Sequence, residues 1–236
     1  MILESSVKEI KVTNSQFRGQ QLNEELVNVV RNTETDKRGT LVGKYLATRM
    51  LPVRFSKKNV TDDMKDYISF CNAIWKDVEY FPVVEDVDGK YTTNYVDTWA
   101  AERTFGGERT HEGTDIMASK DKPGIYPVVS MTDGIVTHKR WLPLGGWRVG
   151  ILSSSGAYFY YAHLESYADI SIGEEIEAGE IIGFMGNSGY GEEGTTGKFA
   201  THLHLGIYIY PDGIETSINP YWILKVAEEK KLFCSY

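Results

Sequence analysis

The run of residues 201–210 places histidines and tyrosines at alternate positions, with aliphatic residues between them. Strict alternation predicts a β-strand, because successive side chains of a strand point to opposite faces of the sheet. One face then carries His202, His204, Gly206, Tyr208 and Tyr210, and the other carries Leu203, Leu205, Ile207 and Ile209. The two imidazoles lie on one side, two residues apart, so both can contact one small site. Such an arrangement suits a metal ion.

A second group of chemistry-bearing residues lies upstream, where His111 and Asp115 are four residues apart. Gly113 between them argues against a helix and favours a bend that turns both side chains inward. Alone, each motif is typical of a surface strand or a polar turn. Together, His111, Asp115 and one strand histidine supply three ligands, the number that a catalytic zinc site uses while a fourth position stays open to water. The spacing leaves open which of His202 and His204 would bind the ion.

Three other polar residues carry weaker indications. The aromatic run of residues 158–164 contains His163 near its end and, taken alone, is typical of a core strand. His138 stands in a mixed polar stretch, where a solvated strand residue is the expected interpretation. Glu112 is expected to face solvent or to support a ligand without binding the ion itself. None of the three defines a site without the two motifs above.

The elements that must position these groups fall into two regions of different composition. Four of the 23 glycines lie in residues 1–100, and all five histidines lie beyond residue 110. Glycine-rich turns between short apolar runs indicate β-structure, whereas the first part is polar and helix-forming. We therefore predict a helical N-terminal region over residues 1–94 and a β-rich domain with a C-terminal helix over residues 95–236.

Two helices are predicted in the N-terminal region. The first covers residues 20–32, with Leu22, Leu26, Val29 and Val30 at helical spacing. The second begins at Thr61, a good N-cap that is followed by two acidic residues, and runs to about residue 78. Its apolar stripe comprises Met64, Tyr67, Ile68, Cys71, Ile74 and Trp75. We expect that stripe to pack onto the β-rich domain rather than to form a groove for a partner.

Short strands and turns dominate the β-rich domain. The predicted strands cover residues 134–138, 147–152, 158–164, 181–185 and 201–210. Asn219 and Pro220 suit the N-cap and the first position of a terminal helix that runs from Tyr221 to about residue 231. The expected fold class is therefore mainly β, with an α-helical N-terminal part and a short C-terminal helix.

Composition excludes several classes of function. With 42% hydrophobic residues the chain can bury a sizeable core, so disorder is not expected. A formal charge of −8 and the lack of a basic run argue against nucleic-acid binding. No stretch approaches the roughly twenty apolar residues that span a bilayer, and the N-terminus has no apolar signal core. Since a signal or an anchor can be trimmed, this observation decides little about localisation.

The two cysteines, Cys71 and Cys234, are too few for a disulfide framework and wrongly spaced for a zinc ribbon or a redox pair. We expect one buried thiol and one thiol near the C-terminus. A single bridge between them, which would tie the tail to the N-terminal region, is the alternative.

The chemical motifs follow one another along the chain as His111-x-x-x-Asp115, Tyr161-Ala-His163-Leu and His202-x-His204. In this order and context they resemble the lysostaphin-like zinc metallopeptidases, also called the β-lytic or glycyl-glycine endopeptidase family. The glycine-marked hairpin of residues 172–189 is similar to that family's hairpin as well. The resemblance covers roughly residues 95–223 and leaves out the N-terminal 90 residues.

The resemblance implies an antiparallel β-sheet with a groove, the duplicated hybrid motif, and a metal on the floor of that groove. It implies that His111, Asp115 and His204 bind Zn²⁺, and that His163 and His202 are catalytic histidines that do not bind the ion. The function it implies is hydrolysis of peptide bonds in bacterial peptidoglycan, in stem peptides or cross-bridges, by a metal-activated water. Peptidoglycan peptides are then the expected partners, and the expected location is extracytoplasmic.

Two stretches depart from the compact form of that family. Residues 190–201 make a longer link than usual before His202, and residues 141–147 form an aromatic loop. We expect both stretches to rim the groove. They leave substrate preference open, because such loops differ among relatives that cut glycine cross-bridges and relatives that cut stem peptides.

Three other functions compete with the enzyme. A catalytically silent scaffold or activator in the cell wall would keep the same residues, so loss of wall cleavage on chelation is the test that separates the two. A lipoyl or biotinyl carrier has a similar hairpin but needs a lysine at its tip, and Phe184-Met185-Gly186 offers none. A structural zinc site would need a fourth protein ligand, for which neither cysteine is an obvious candidate.

Overall fold

The computed structural model describes residues 22–50 and 62–236. Its helices are α1 (Glu24–Arg31), α2 (Thr35–Met50), α3 (Asp62–Trp75) and α4 (Tyr221–Ala227), with short 3-10 turns at Pro211–Gly213 and Glu228–Lys230. Every helix within these two ranges is too short or too polar to cross a bilayer. The helices flank a long β-rich segment.

The strands form one large sheet and two small ones. They are β1 (Glu85–Asp86), β2 (Thr93–Tyr95), β3 (Glu102–Arg103), β4 (Arg109–Thr110), β5 (Thr114–Ala118), β6 (Pro127–Val129), β7 (Gly134–Leu142), β8 (Gly146–Ser153), β9 (Tyr158–Tyr167), β10 (Glu175–Ile176), β11 (Ile181–Met185), β12 (His202–Ile209), β13 (Thr216–Ile218) and β14 (Phe233–Cys234). The large sheet has the order β10-β7-β8-β9-β12-β5-β2, with β11 beside β9 and β6, and β13 beside β12. All pairs in it are antiparallel. The predicted fold class is confirmed.

All five predicted strands are present, and two of them, β7 and β9, extend three or more residues beyond their predicted ends. β7 continues to Leu142, past the polar residues that suggested an end at residue 138, because its partner β8 pairs with it as far as Gly146. β9 continues to Tyr167 because β11 pairs with its second half. Pairing with a neighbour therefore extends these strands beyond the range that the apolar pattern predicts.

Strand β12 shows why alternation was a reliable guide. It lies between β5 and β9 in the sheet. Its aliphatic face is buried, with exposures of 0–2% for Leu203, Leu205, Ile207 and Ile209. Burying four such side chains contributes several kcal/mol in total, at about 1.5–3 kcal/mol each. The hydrophobic effect on one face thereby fixes the histidines on the other.

Helix α1 confirms the first predicted helix. Its N-cap is Asn23, whose side chain accepts a hydrogen bond from the backbone N–H of Leu26 at 2.8 Å, and two glutamates fill its first turn. The buried face consists of Leu26, Val27 and Val30. Val29, which the prediction placed on this face, is 48% exposed. The buried face of α1 is rotated toward Val27, because the helix packs against both α4 and α2.

Helices α2 and α3 pack against each other, and α3 also contacts β12. The predicted start of the second helix at Thr61 lies outside the described residues, as do the side chains of Met64 and Tyr67. Cys71, Ile74 and Trp75 are buried in a core shared with the sheet, so the stripe packs as expected. Helix α2 was not predicted, because its sequence mixes polar residues with two glycines and shows only a weak apolar stripe.

The C-terminal helix begins as the sequence predicted. Oδ1 of Asn219 accepts a hydrogen bond from the backbone N–H of Tyr221 at 2.9 Å, and Pro220 has helical angles of φ −75° and ψ −17°. The helix ends at Ala227 and continues as the 3-10 turn, slightly short of the predicted residue 231. Beyond it, β14 pairs with β1 in parallel, which ties the tail to residues that precede the large sheet.

Helices and sheet share one hydrophobic core. Val27 and Trp75 belong to it, as do Phe159 and Ile207 of the sheet. The division of the chain at residue 94 stays a prediction, since β1 and β2 already join strands of the second region before that point. Cys71 is buried and Cys234 is exposed, as expected, and no disulfide joins them.

The close contact between α2 and α3 generates a stability prediction. A Cβ at Gly39 would lie 2.4 Å from the Cα of Asn72, whereas one at Gly43 would lie 3.2 Å from the side chain of Ile68. Gly39→Ala should lower the free energy of unfolding by about 1–3 kcal/mol, because backbone cannot yield to the new methyl. Gly43→Ala is the matched control, one turn along the same helix, and should change it by no more than about 1 kcal/mol. Urea denaturation of both variants measures the difference, and equal values would contradict this packing.

Candidate metal centre and active-site groove

A groove of about 1420 Å³ crosses the face of the large sheet that carries the histidines of β12. Tyr160 of β9 and Tyr208 of β12 lie along it. Residues 142–145 and parts of the link of residues 190–200 also line it, so both stretches that were expected to rim the groove do so. All five predicted site residues face this groove: His111, Asp115, His163, His202 and His204.

His111, Asp115 and His204 bring three possible metal ligands into a compact triangle. Nε2 of His111 lies 2.9 Å from Nδ1 of His204, and Oδ1 of Asp115 lies 3.0 Å from each of these nitrogens. A tetrahedral zinc ion with bonds of about 2.0–2.1 Å separates its ligand atoms by roughly 3.3 Å. Two imidazole nitrogens and a carboxylate oxygen are also a donor set that zinc favours. The three side chains therefore fit a zinc ion.

Pairing of β5 with β12 positions two members of this cluster. Asp115 stands directly opposite His204 in the register, so their side chains are neighbours on one face. His111 precedes β5 and reaches the same point because the chain bends at Gly113, as its sequence indicated. A Cβ at Gly113 would lie 2.5 Å from the His204 ring and 2.5 Å from the Leu205 carbonyl oxygen. Only glycine lets the bend pack this closely.

Outer contacts orient the donors of the cluster. Nδ1 of His111 lies 3.1 Å from the carbonyl oxygen of Thr98; because a carbonyl only accepts, Nδ1 donates to it and Nε2 faces the cluster. Arg103 donates through Nη2 to Oδ2 of Asp115 at 2.8 Å, which leaves Oδ1 for the cluster. The same Nη2 lies 2.9 Å from Nδ1 of His111, but both atoms are donors in this arrangement, so the contact adds no hydrogen bond.

The protonation states of the cluster match those that metal ligands need. Burial raises the pKa of Asp115, but hydrogen bonds with His111 and His204 and the charges of His204 and His202 outweigh it and hold the pKa far below its usual value. Burial lowers the pKa of His204 and overcomes the raising effect of Asp115. At neutral pH the carboxylate is therefore ionised and the His204 imidazole is neutral.

His163 lies beside the cluster in an uncommon backbone conformation. Its φ of 62° is in the left-handed region, which is costly for a residue with a Cβ. It sits where the register between β8 and β9 shifts, and this bulge directs the imidazole to the groove. Backbone hydrogen bonds hold the bulge: His163 N–H donates to Gly145 at 2.7 Å, and Gly186 N–H donates to the His163 carbonyl at 2.9 Å.

His163 and His202 present their imidazoles in the same way. Nδ1 of His163 lies 2.7 Å from the carbonyl oxygen of Ser188, and Nδ1 of His202 lies 2.8 Å from that of Ala200. Each Nδ1 therefore donates to a backbone carbonyl, and Nε2 is the ring nitrogen that remains for the groove. Burial, followed by the charges of His202 and His204, holds the pKa of His163 well below its usual value. The His163 imidazole is therefore neutral and can accept a proton, and the His202 ring lies 4.7 Å from it between centroids.

Tyr160 and Tyr208 extend the floor of the groove beyond the histidines. Burial raises the pKa of both hydroxyls above its usual value, so both stay protonated at neutral pH and act as hydrogen-bond donors. Tyr208 donates to the carbonyl of Glu112 at 3.3 Å. Glu112 itself is half-buried and lines the groove, and its support of a metal ligand stays a prediction.

Several groove residues were not identified from the sequence. His138 is a strand residue as expected, but it is half-buried in the wall and packs edge-on against Tyr158. Arg103 and Thr98 orient the cluster, but no sequence pattern pointed to them, because they act on residues of other elements that only the fold brings near. Tyr208 could have been found, since alternation puts it on the histidine face of β12.

The β3–β4 hairpin reaches across the groove. In the sheet, β12 and β9 lie between β5 and the β7–β8 hairpin, and the β3–β4 hairpin precedes β5. The tip of the hairpin nevertheless contacts residues on the β7–β8 side of the groove. Phe105 stacks on Tyr190, with ring centroids 4.1 Å apart and ring planes 6° from parallel. Gly106 lies against Leu144, since a Cβ at Gly106 would be 2.9 Å from that side chain. Tyr190 in turn packs edge-on against His163. We refer to the Phe105–Tyr190 contact as the strap.

Comparison with known proteins gives consistent matches. The model of peptidase family M23 matches residues 109–220. Over 136 residues the chain is 45% identical to the L-Ala–D-Glu endopeptidase of Bacillus subtilis, covering 57% of this chain and 40% of that protein. Over 103 residues it is 29% identical to lysostaphin of Staphylococcus staphylolyticus, covering 43% of this chain and 20% of that protein. The chain thus spans less than half the length of these two relatives.

A solved structure matches nearly the whole chain. It is a protein of Ruminococcus gnavus that is provisionally named a glycyl-glycine endopeptidase, lytM; it is 45% identical, with a TM-score of 0.79. The match covers 94% of this chain and 93% of that one. The family match contains all five predicted site residues. The resemblance drawn from the motifs is confirmed, and the chain belongs to peptidase family M23.

Proposed function

We propose that this chain is a zinc-dependent endopeptidase that hydrolyses peptide bonds in bacterial peptidoglycan. The observation that carries the proposal is the triangle of ligand atoms at 2.9–3.0 Å, with the imidazoles of His163 and His202 beside it in the same groove. His111, Asp115 and His204 would hold the ion, and His163 and His202 would act on the substrate. Membership in a family of peptidases supports this assignment.

The donor set leaves room for catalysis. Among the residues that the structure describes, no fourth histidine, cysteine or carboxylate joins the triangle. Cys71 is buried in α3. A set of three ligands favours an open catalytic site over a closed structural one. When bound, zinc supplies a Lewis acid and makes hydroxide available at neutral pH. His163 and His202 can then accept the proton of the attacking water at Nε2 and return it to the departing amine.

Names of the relatives point to peptide bonds of two kinds. Lysostaphin and the B. subtilis endopeptidase support peptidoglycan peptides as the substrate class. Next to an Ala–Glu bond, glutamate has a free carboxylate within a few covalent bonds of the cut, because only one of its two carboxyl groups continues the chain. Next to a Gly–Gly bond there is no side-chain carboxylate. Because such a substrate lies outside the cytoplasm, we infer an extracytoplasmic site of action.

Digestion of purified peptidoglycan and defined muropeptides by the zinc-loaded protein, read by mass spectrometry, tests the proposal. New peptide termini that disappear on chelation are expected. Intact substrate across several wall chemistries, despite one equivalent of bound zinc, would instead indicate a catalytically silent scaffold or activator.

Single substitutions separate the two proposed roles. His204→Ala should lower bound zinc and abolish cleavage, because it removes a ligand. His163→Ala should keep zinc near one equivalent and lower the cleavage rate roughly 100-fold or more, the usual effect of losing a positioned acid or base. Zinc content by atomic absorption and initial rates are measured on the same samples. Equal loss of zinc in both variants would overturn these roles.

The bend at Gly113 gives a further prediction about the metal. Gly113→Ala should displace the His204 ring and lower zinc affinity about tenfold or more, as loss of a supporting contact does at other sites. Gly43→Ala is the control, since Gly43 has no positive φ and its Cβ position contacts α3 rather than the groove. Competition with a fluorescent zinc chelator measures both affinities. Unchanged affinity in Gly113→Ala would show that the His204 ring does not depend on this glycine.

A further inference from the structure

The described residues that line the groove include four arginines and three acidic residues, although the chain carries a formal charge of −8. The arginines that line the groove are Arg103, Arg109, Arg140 and Arg148, and the acidic residues that line it are Glu112, Asp115 and Glu215. Arg103 is already paired with Asp115. The other three arginines do not pair with the metal cluster, so their positions indicate the kind of ligand that the groove binds.

Arg148 is the most unusual of them, because its guanidinium is buried without a counter-ion. The residue is 4% exposed. It donates through Nη1 to the hydroxyl of Tyr158 at 2.5 Å, and its Nε is buried without a hydrogen-bond partner. No ion pair to Arg148 occurs within the described ranges of the chain. A buried and unpaired cation is costly, so this one is poised for an anion that is not part of the fold.

A second arginine stands next to it. Arg140 of β7 is the cross-strand partner of Arg148 of β8, and like charges in this position repel each other. His138, two residues before Arg140, faces the same groove, and burial and then the charges of Arg148 and Arg140 lower its pKa. Glu215 also lines the groove, but it accepts a hydrogen bond from Tyr210 at 3.1 Å and forms no ion pair with either arginine. An anion between Arg140 and Arg148 would relieve their repulsion.

We infer that Arg148, together with Arg140, is a subsite for a carboxylate of the substrate peptide. The inference rests on the proposed function and narrows it: the peptide that binds carries a free carboxylate near the bond that is cut. A planar guanidinium suits a carboxylate because it can donate two parallel hydrogen bonds. A chain of glycines has no group for this subsite.

The location of the subsite sets how far the carboxylate lies from the cut. The ring of Tyr160 lies 5.9 Å from that of His204, and Cζ of Arg148 lies 5.6 Å from the centroid of Tyr160. One aromatic ring therefore separates the metal cluster from the guanidinium. Since an extended residue spans about 3.3–3.6 Å, the carboxylate belongs to a residue within about three positions of the bond. The subsite thus selects among peptides by a residue close to the cut.

Binding measured without turnover tests the subsite separately from the enzyme activity. The parent protein is zinc-loaded His163→Ala, and the probes are an alanyl-D-glutamyl peptide and its alanyl-D-glutaminyl counterpart, identical except for the carboxylate. Titration calorimetry should give a Kd at least about tenfold lower for the glutamyl peptide in the parent. Adding Arg148→Gln should remove this preference, and adding Arg140→Gln should weaken it. Lys139→Gln removes a charge from the opposite face of β7 and should leave the preference intact.

Each outcome bears on the subsite. Equal Kd values for the two peptides in the parent, or binding of neither, overturn the inference. A preference that survives Arg148→Gln, in a variant whose melting temperature matches that of the parent, also overturns it. Cleavage by the wild-type protein is followed in parallel on both peptides and on whole peptidoglycan: absence of any chelator-sensitive cut would refute the proposed function while the binding preference still stood.

Discussion

The antiparallel pairing of β5 with β12 sets Asp115 opposite His204, and the positions of the other groove side chains depend on that register. A slip by one residue would exchange the two faces of β12 and bring imidazoles into the core in place of leucines. Burial of the four aliphatic side chains opposes such a slip far more strongly than any contact among the histidines. The core therefore specifies the polar site.

Two local deviations from regular structure bring further side chains to the site that the strand pairing forms. The bend at Gly113 lets His111 approach the same point as Asp115, and the bulge at His163 directs a strand residue into the groove. A left-handed non-glycine residue costs about 1–3 kcal/mol, and hydrogen bonds to Gly145 and Gly186 on both sides of His163 compensate for that cost. Because these side chains stand on paired strands, their geometry is set before any substrate binds.

Periodicity explains how much could be predicted from the sequence. Strong alternation identified β12 and the face of His202 and His204, and the motif order identified the other three predicted site residues, His111, Asp115 and His163. Helix α2 escaped because its apolar stripe is weak, and Val29 was misplaced because two neighbouring helices share the face of α1. Arg148 gave no indication at all: its significance comes from burial beside Tyr160 and from an absent counter-ion, and neither is visible in a linear pattern.

The strap has a consequence for the physical form of the substrate. Phe105 and Tyr190 close a loop of protein over the groove, so a ligand enters either by sliding an end beneath the loop or after the two rings part. A short soluble fragment has a free end, whereas a mesh joined at both ends of every segment has none. For the proposed peptidoglycan substrate, a cut in intact wall would require the two stacked rings to separate first, and a cut in a released fragment would not. Topology, rather than chemical preference, would make this groove favour turnover of fragments over attack on the polymer.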